Sequence, residues 1–260
     1  MLAELASMVW IEQRKAIRSG MPLWTALGAM FMPIGIAFLI FVARNPEITK
    51  KLGLVGAKAN LLTYSSTDWA TYLALSGQMI AAGGFFLFIL VTSWVFGREF
   101  ADGTVKDLLA VPVRRASILL AKFVVTAAWS AALALVIVIA GVVTGAAIHL
   151  PGGSVDAILN GIELALVVAG LTITAVTPFA LFASLGRGYL LPVALAVLTL
   201  MLTNLVVILG WGEFFPWAVA GLYLMEKSSL SPHSYWIVYF TGLAGMVATY
   251  LWWKHADQSR

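Results

Sequence analysis

Gly97-Arg98-Glu99-Phe100-Ala101-Asp102-Gly103-Thr104-Val105-Lys106-Asp107-Leu108-Leu109-Ala110-Val111-Pro112-Val113-Arg114-Arg115 is a charged island between two long apolar runs. Asp102-Gly103 is a turn signal. Thr104, with Asp107 three residues on, is a variant of the capping box and predicts a helix start. Val105, Leu108 and Leu109 share one face of that helix by their spacing. Pro112 pushes Val111 out of helical geometry and ends it. The stretch therefore predicts a helix of roughly two turns, with an apolar face, on a solvated connection. Such a face needs a cover, either the helix ends of the same chain or a separate soluble protein. A plain basic anchor would explain the charges but not a capped, apolar-faced helix.

Outward from this island the chain is a series of apolar runs. No Asp, Glu, Lys or Arg occurs in Met21 to Ala43, Trp69 to Gly97, Phe123 to Val155, Leu164 to Gly186, Gly188 to Gly212 or Ser228 to Trp253. A spanning helix needs about 20 apolar residues. These runs predict six transmembrane helices near 22–43, 69–96, 118–148, 157–182, 190–211 and 233–253. Composition agrees: 61% of the 260 residues are hydrophobic and 11% charged, where a soluble domain carries about 25% charged. The short alternating segments of a membrane barrel are absent. The net charge of +4 does not point to nucleic acid, because the basic residues lie between apolar runs and form no stripe. With no cysteine, disulfides and thiolate metal sites are excluded. The first run is too long, and too far from the start, for a cleaved signal peptide.

Basic residues set the expected orientation. With the amino terminus cytoplasmic, eleven of the sixteen Lys and Arg fall inside and five outside: Arg44, Lys50, Lys51, Lys58 and Lys227. Both termini are expected in the cytoplasm of a plasma-membrane protein. Trp24, Trp94, Trp252 and Trp253 then mark the inner boundary, and Trp69, Trp211 and Trp236 the outer one. The basic loop 44–68 sits awkwardly on the outside. Residues 1–20 predict an amphipathic helix on the membrane surface, with Leu2, Leu5, Ala6, Val9, Ala16 and Ile17 on one face and Glu4, Ser7, Arg14, Lys15 and Arg18 on the other. Ser19-Gly20-Met21-Pro22 turns the chain into the bilayer. Residues 21–260 form one transmembrane domain.

Gly97-Arg98-Glu99, Asp102-Gly103-Thr104 and Leu108-Leu109-Ala110-Val111-Pro112 together resemble the loop after the second span of type-2 ABC exporter permeases, most closely the bacitracin and lantibiotic resistance branch. The six-span layout and the amphipathic start are similar over essentially the whole chain. The resemblance implies an all-α membrane protein with an N-terminal elbow helix and a cytoplasmic coupling helix between spans two and three. It implies that the Gly97-Arg98-Glu99 turn and the coupling helix that follows it, with Phe100, Asp102, Gly103 and Thr104 leading into that helix, sit in a groove of a separate ATP-binding-cassette ATPase. Val105, Leu108 and Leu109 would fill that groove, up to Pro112. ATP and magnesium would be bound by the partner. A second permease copy, or a homologue, would complete the assembly in the lipid bilayer. An exported peptide antibiotic, or another amphipathic or hydrophobic compound, fits this branch.

Two further features stand out. Phe214 to Met225 is an apolar run of twelve residues, too short to cross and characteristic of re-entrant segments. It includes Phe214, Phe215, Pro216 and Trp217, and the resemblance places short helices there that plug the outer mouth. Glu163 lies about six residues inside the fourth span, where an acid costs about 2.5–3.5 kcal/mol at mid-membrane. As a pathway residue it would suit a self-contained secondary carrier or membrane enzyme. Pro33, Pro178 and Pro192 are expected to kink spans. There is no phosphate-binding loop, no His-Glu-x-x-His zinc site and no Cys/His cluster, so no cofactor or metal is expected in this chain.

Overall fold

The computed structural model describes residues 2–45, 47–48, 66–225 and 230–255, and among these there is no strand. Helix α1, Leu2–Arg18, is followed by α2, Met21–Arg44. Gly20, at φ 72°, makes the corner between them. Helices α3, Trp69–Met79, and α4, Phe85–Ala101, form one rod joined by a π-helical segment, Ile80–Gly84. Helix α5, Val105–Ala110, is the short helix expected from the charged island. Helix α6, Arg115–Ala147, is the longest, at 33 residues. Helices α7, Val155–Val176, and α8, Phe179–Leu185, meet at Thr177-Pro178. Helix α9, Leu190–Ile208, leads to a 3-10 turn, Gly212–Phe214, and to α10, Val219–Met225. Helix α11, Pro232–His255, closes the described chain.

Helix starts follow local chemistry. The Asp68 carboxylate accepts from the Thr71 backbone N–H (2.9 Å) and caps α3; the Ser154 hydroxyl accepts from Ala157 N–H (3.1 Å) and caps α7. Pro178 separates α7 from α8, where a kink was expected. Pro192 sits in the first turn of α9, where proline is tolerated, and kinks nothing.

Five helical rods are long and apolar enough to cross a membrane: Met21–Arg44, Trp69–Ala101, Arg115–Ala147, Val155–Leu185 and Leu190–Ile208. The expected sixth, α11, is 24 residues long, but Trp and Tyr at six positions lower its mean hydropathy and it does not join the five. Burial orders the bundle. The most apolar stretch of Trp69–Ala101 is 61% buried and that of Leu190–Ile208 only 11%, so the α3–α4 rod is the central element and α9 the peripheral one. Helices α1 and α2 pack along α6, α3 along α7, α4 against α8, and α11 against α7 and α8. The main core runs from Phe85, Phe88, Ile89 and Phe96 on α4 to Ile137 on α6, Val168 on α7 and Phe179 on α8.

The packed face of α1 differs from its apolar face in the sequence. Met8, Glu12 and Ala16 are buried, while Ile17 and Trp10 are exposed. Glu12, an acid, is turned inward because a lysine from α6 meets it there.

Candidate functional site

Helix α4 does not stop at residue 96. It continues through Gly97, Arg98, Glu99 and Phe100 to Ala101. The expected Gly-Arg-Glu turn is therefore helical, and the turn proper falls on Asp102, Gly103 and Thr104. Gly103 has φ 71°, a left-handed geometry that favours glycine. Thr104 N–H donates to Glu99 O (2.9 Å), and Leu108 N–H donates to Thr104 O (3.1 Å). The Thr104 hydroxyl makes no capping bond. Its backbone (φ −90°, ψ 4°) is not the extended form that aims a capping side chain at the first turn. Val111 is extended (φ −67°, ψ 137°) before Pro112, and α5 ends there.

Val105 is turned into its own chain. Val105 belongs to the main core. Leu108 is half-buried beside Met8 of α1 and Ile118 of α6. Val105 and part of Leu108 are thus covered by their own chain. The Leu109 side chain lies outside the described part. The outer surface of the segment consists of Asp102, Thr104, Lys106, Asp107 and Val111, all exposed.

Behind that surface four charged side chains meet. Lys122 Nζ, fully buried, lies 2.8 Å from Glu99 Oε1 and 3.2 Å from Glu12 Oε2, and donates to Val95 O at 2.7 Å. Lys15 Nζ lies 2.9 Å from Glu12 Oε1 and 3.2 Å from Glu99 Oε1. Two acids and two bases from α1, α4 and α6 therefore neutralise one another. Removing either member of a buried pair strands a charge and costs about 3–5 kcal/mol. Burial acts against the Lys15 ammonium, but Glu12 and then Glu99 outweigh it and hold its pKa above the ordinary lysine range.

The cluster borders a groove of about 470 Å³ lined by Met8, Lys15, Arg98, Glu99, Asp107 and Leu108 among others. Arg98 Nε bonds Asp102 Oδ2 at 3.1 Å, and its guanidinium lies 4.9 Å from the centre of the Trp94 ring. Glu99 Oε2 and Arg98 Nη1 are buried with no hydrogen-bond partner. Gly97 brings the α8–α9 connection close. A Cβ there would stand 2.8 Å from Gly188 O. Phe100 packs edge-on against Trp252 and Trp253 of α11, and Arg115 Nη1 donates to Trp253 O (2.9 Å).

The other expected residues lie elsewhere. Glu163 is on the exposed face of α7 and lines none of the cavities described here. Phe214 is exposed and stacks on His233 at 5.0 Å. Phe215 and Pro216 are half-buried. Trp217 Nε1 donates to Ala175 O (2.9 Å), in the last turn of α7. Val219, Ala220 and Tyr223 are buried beyond it. The 212–225 segment thus folds back into the bundle against α3, α7 and α11.

Sequence reasoning missed Lys122 and Glu12. Neither belongs to a motif, and each lies at the margin of an apolar run. Lys122 nevertheless falls inside the span expected at 118–148, and a lysine within a span calls for a partner. Arg44, an oddity of the outer loop, donates to Thr67 O (2.7 Å) and Ile148 O (3.4 Å), tying three helix ends together. Lys50, Lys51, Lys58 and Lys227 lie outside the described residues.

A bundle of membrane-length helices, with a short exposed helix slung beneath two of them, defines a multi-pass membrane protein. The profile of ABC-2 family transporter proteins matches residues 8–204, and the chain belongs to that family. A bacitracin transport permease protein of Bacillus licheniformis is 25% identical over 176 residues, covering 66% of this chain and 84% of that protein. The chain is accordingly the permease component of an ABC exporter and not an enzyme; ATP hydrolysis belongs to a separate subunit.

Proposed function

We propose that this permease exports a bacitracin-like peptide antibiotic, and that the ATPase drives it through the α5 segment. The substrate follows from the similarity to the bacitracin permease. The drive point follows from one observation: the exposed strip of α5 and its turn is backed by a buried charge cluster that joins α1, α4 and α6. Force applied to α5 meets three helices held in one geometry, not a loose loop. The unpartnered Glu99 Oε2 and Arg98 Nη1 give the groove a buried acceptor and donor for an incoming polar side chain. ATP and magnesium are bound by the partner. In this reading α1 is the elbow helix, α5 is the coupling helix, α11 is the sixth span, and both termini are cytoplasmic. Two permeases, identical or homologous, pair with two ATPases. The 212–225 segment plugs the mouth of the path on the far side.

The test uses Val111→Asp, Lys106→Glu and Asp107→Lys, all on exposed positions that leave the cluster intact. The measurements are copurification of the ATPase and ATP-driven transport of bacitracin into inverted vesicles. Val111→Asp is expected to lower both sharply while the permease alone unfolds at the parental temperature. Parental copurification and transport in all three variants would sink the reading. Glu99→Ala alone does not separate coupling from folding, because it breaks a buried pair. The double exchange Glu99→Lys with Lys122→Glu, which keeps the cluster neutral, is expected to recover assembly lost in either single exchange.

A further inference from the structure

A cavity of about 420 Å³ opens on the side of the bundle between α4, α6, α7 and α11. No residue lining it is charged. Leu120 of α6 and Leu243 of α11 stand at its mouth and are 44% and 56% exposed, on faces that meet lipid in a membrane-spanning bundle. A second hollow of about 350 Å³ shares Leu120, Phe123, Leu243 and Met246 with it and reaches down to Ala116 and Tyr250. The two form one groove. Along α6, from Ala116 to Ser130, it is about 21 Å long.

Thr126 makes this more than an apolar hollow. Threonines inside these helices satisfy their hydroxyls on the carbonyl one turn back: Thr92 on Phe88 O, Thr172 on Val168 O, Thr174 on Gly170 O, Thr203 on Thr199 O and Thr249 on Gly245 O. Thr126 has Lys122 one turn back and does not do this. Its residue is 8% exposed, its hydroxyl is buried with no partner, and it lines the cavity. A hydroxyl in an apolar site without a partner is costly, and a ligand that bonds to it relieves the cost.

We propose that this groove is a lateral binding site for an uncharged, single-chain membrane lipid. The alkyl chain lies along Leu120, Phe123, Leu243 and Met246, and one hydroxyl, amide or ester group meets Thr126. The absence of lining charge excludes a carboxylate or ammonium at that depth, since an unpaired ion in an apolar site is far costlier than a neutral polar group. The volume is that of sites that hold drug-sized ligands. The site lies apart from the Glu12–Lys15–Glu99–Lys122 cluster, and its test needs no ATPase.

The experiment uses the full chain in phosphatidylcholine nanodiscs with a photoactivatable diazirine-bearing dodecanol, and adducts are mapped by peptide mass spectrometry. Labelling of 120–130 and 242–246 is expected to saturate and to be displaced by unlabelled dodecanol. Dodecanoate is expected to displace it poorly, and a diazirine-bearing dodecane to label without saturation. Thr126→Val removes the hydrogen bond and is expected to weaken competition about tenfold, whereas Thr126→Ser retains parental competition. Ala127→Trp, at an exposed position on the rim, is expected to abolish the saturable labelling. Labelling that never saturates would overturn the proposal. Equal labelling in Thr126→Val and Thr126→Ser would do the same, as would competition by dodecanoate as strong as by dodecanol.

Discussion

At the α5 end, two lysines and two glutamates from three helices are joined by four ion pairs of 2.8–3.2 Å. In the 212–225 insertion, rings do most of the inward packing: Phe179 faces Trp217 at 6.4 Å, Tyr223 faces Tyr235 at 6.3 Å, and Trp217 donates to Ala175 O, while half-exposed Glu213 at the rim meets His233 at 3.6 Å and accepts from Ser231. Buried ion pairs demand one arrangement, because each missing partner strands a charge. Apolar ring contacts are non-directional and tolerate sliding. One end of the bundle is therefore built to keep its geometry and the insertion is built to yield, a contrast that fits the proposed drive through α5.

Substitutions can break that contrast. Lys122→Met leaves Glu99 and Glu12 sharing Lys15 alone and is expected to destabilise by about 3–5 kcal/mol in detergent unfolding. Adding Glu99→Gln should recover part of it; a double variant no better than the single one would mean the pair is not the cause. Next comes Gly97→Ala, whose Cβ would press on Gly188 O at 2.8 Å. Backbone cannot give way as a side chain can, so about 1–3 kcal/mol is expected, again by unfolding. In the insertion, Trp217→Phe keeps the ring and drops the bond to Ala175 O, for about 1 kcal/mol. If it costs as much as Lys122→Met, the contrast between the two regions fails. The smallest effect is expected at Asp102→Asn, which breaks an exposed pair with Arg98 worth about 0.5 kcal/mol.

Acidity sharpens the same comparison. The raised pKa of Lys15 means its contribution is fully present below the unfolded lysine value and is lost only as pH rises through the folded one. Asp68, which caps α3 at the opposite end, has its carboxyl lowered by its bonds with Thr71. Its contribution is present above the unfolded carboxylate value and is lost only as pH falls through the folded one. Unfolding temperature is therefore expected to be flat from about pH 5 to about pH 9, as measured by a melting series in detergent.

Much of this was legible in the sequence. Long runs without Asp, Glu, Lys or Arg located the rods to within a few residues, because a lipid solvent forbids charge along a span. The α5 helix was legible from Asp102-Gly103 and Pro112, whose backbone preferences are local. The partners of Glu99 were not. Glu12, Lys15 and Lys122 are distant in sequence and met only when α1 folded against α6. The same applies to the cover on Val105, supplied by contacts that no local pattern records. The π-helical segment was invisible too, since Gly83-Gly84 permits it without requiring it.

That segment carries a mechanical consequence. Helix α4 below it is a rod of about 25 Å, and a π-helical turn is a soft joint in an otherwise stiff ladder. A pivot of about 10° at Ile80–Gly84 carries Asp102 about 4 Å sideways at that length. Tyr72, beyond the joint, stays where it is, with its hydroxyl on Pro33 O and Thr144 Oγ1. Glu99, tied to α1 and α6, and Tyr72, tied to α2 and α6, thus lie on opposite sides of the joint, and in the proposed drive through α5 the joint is where the rod would bend.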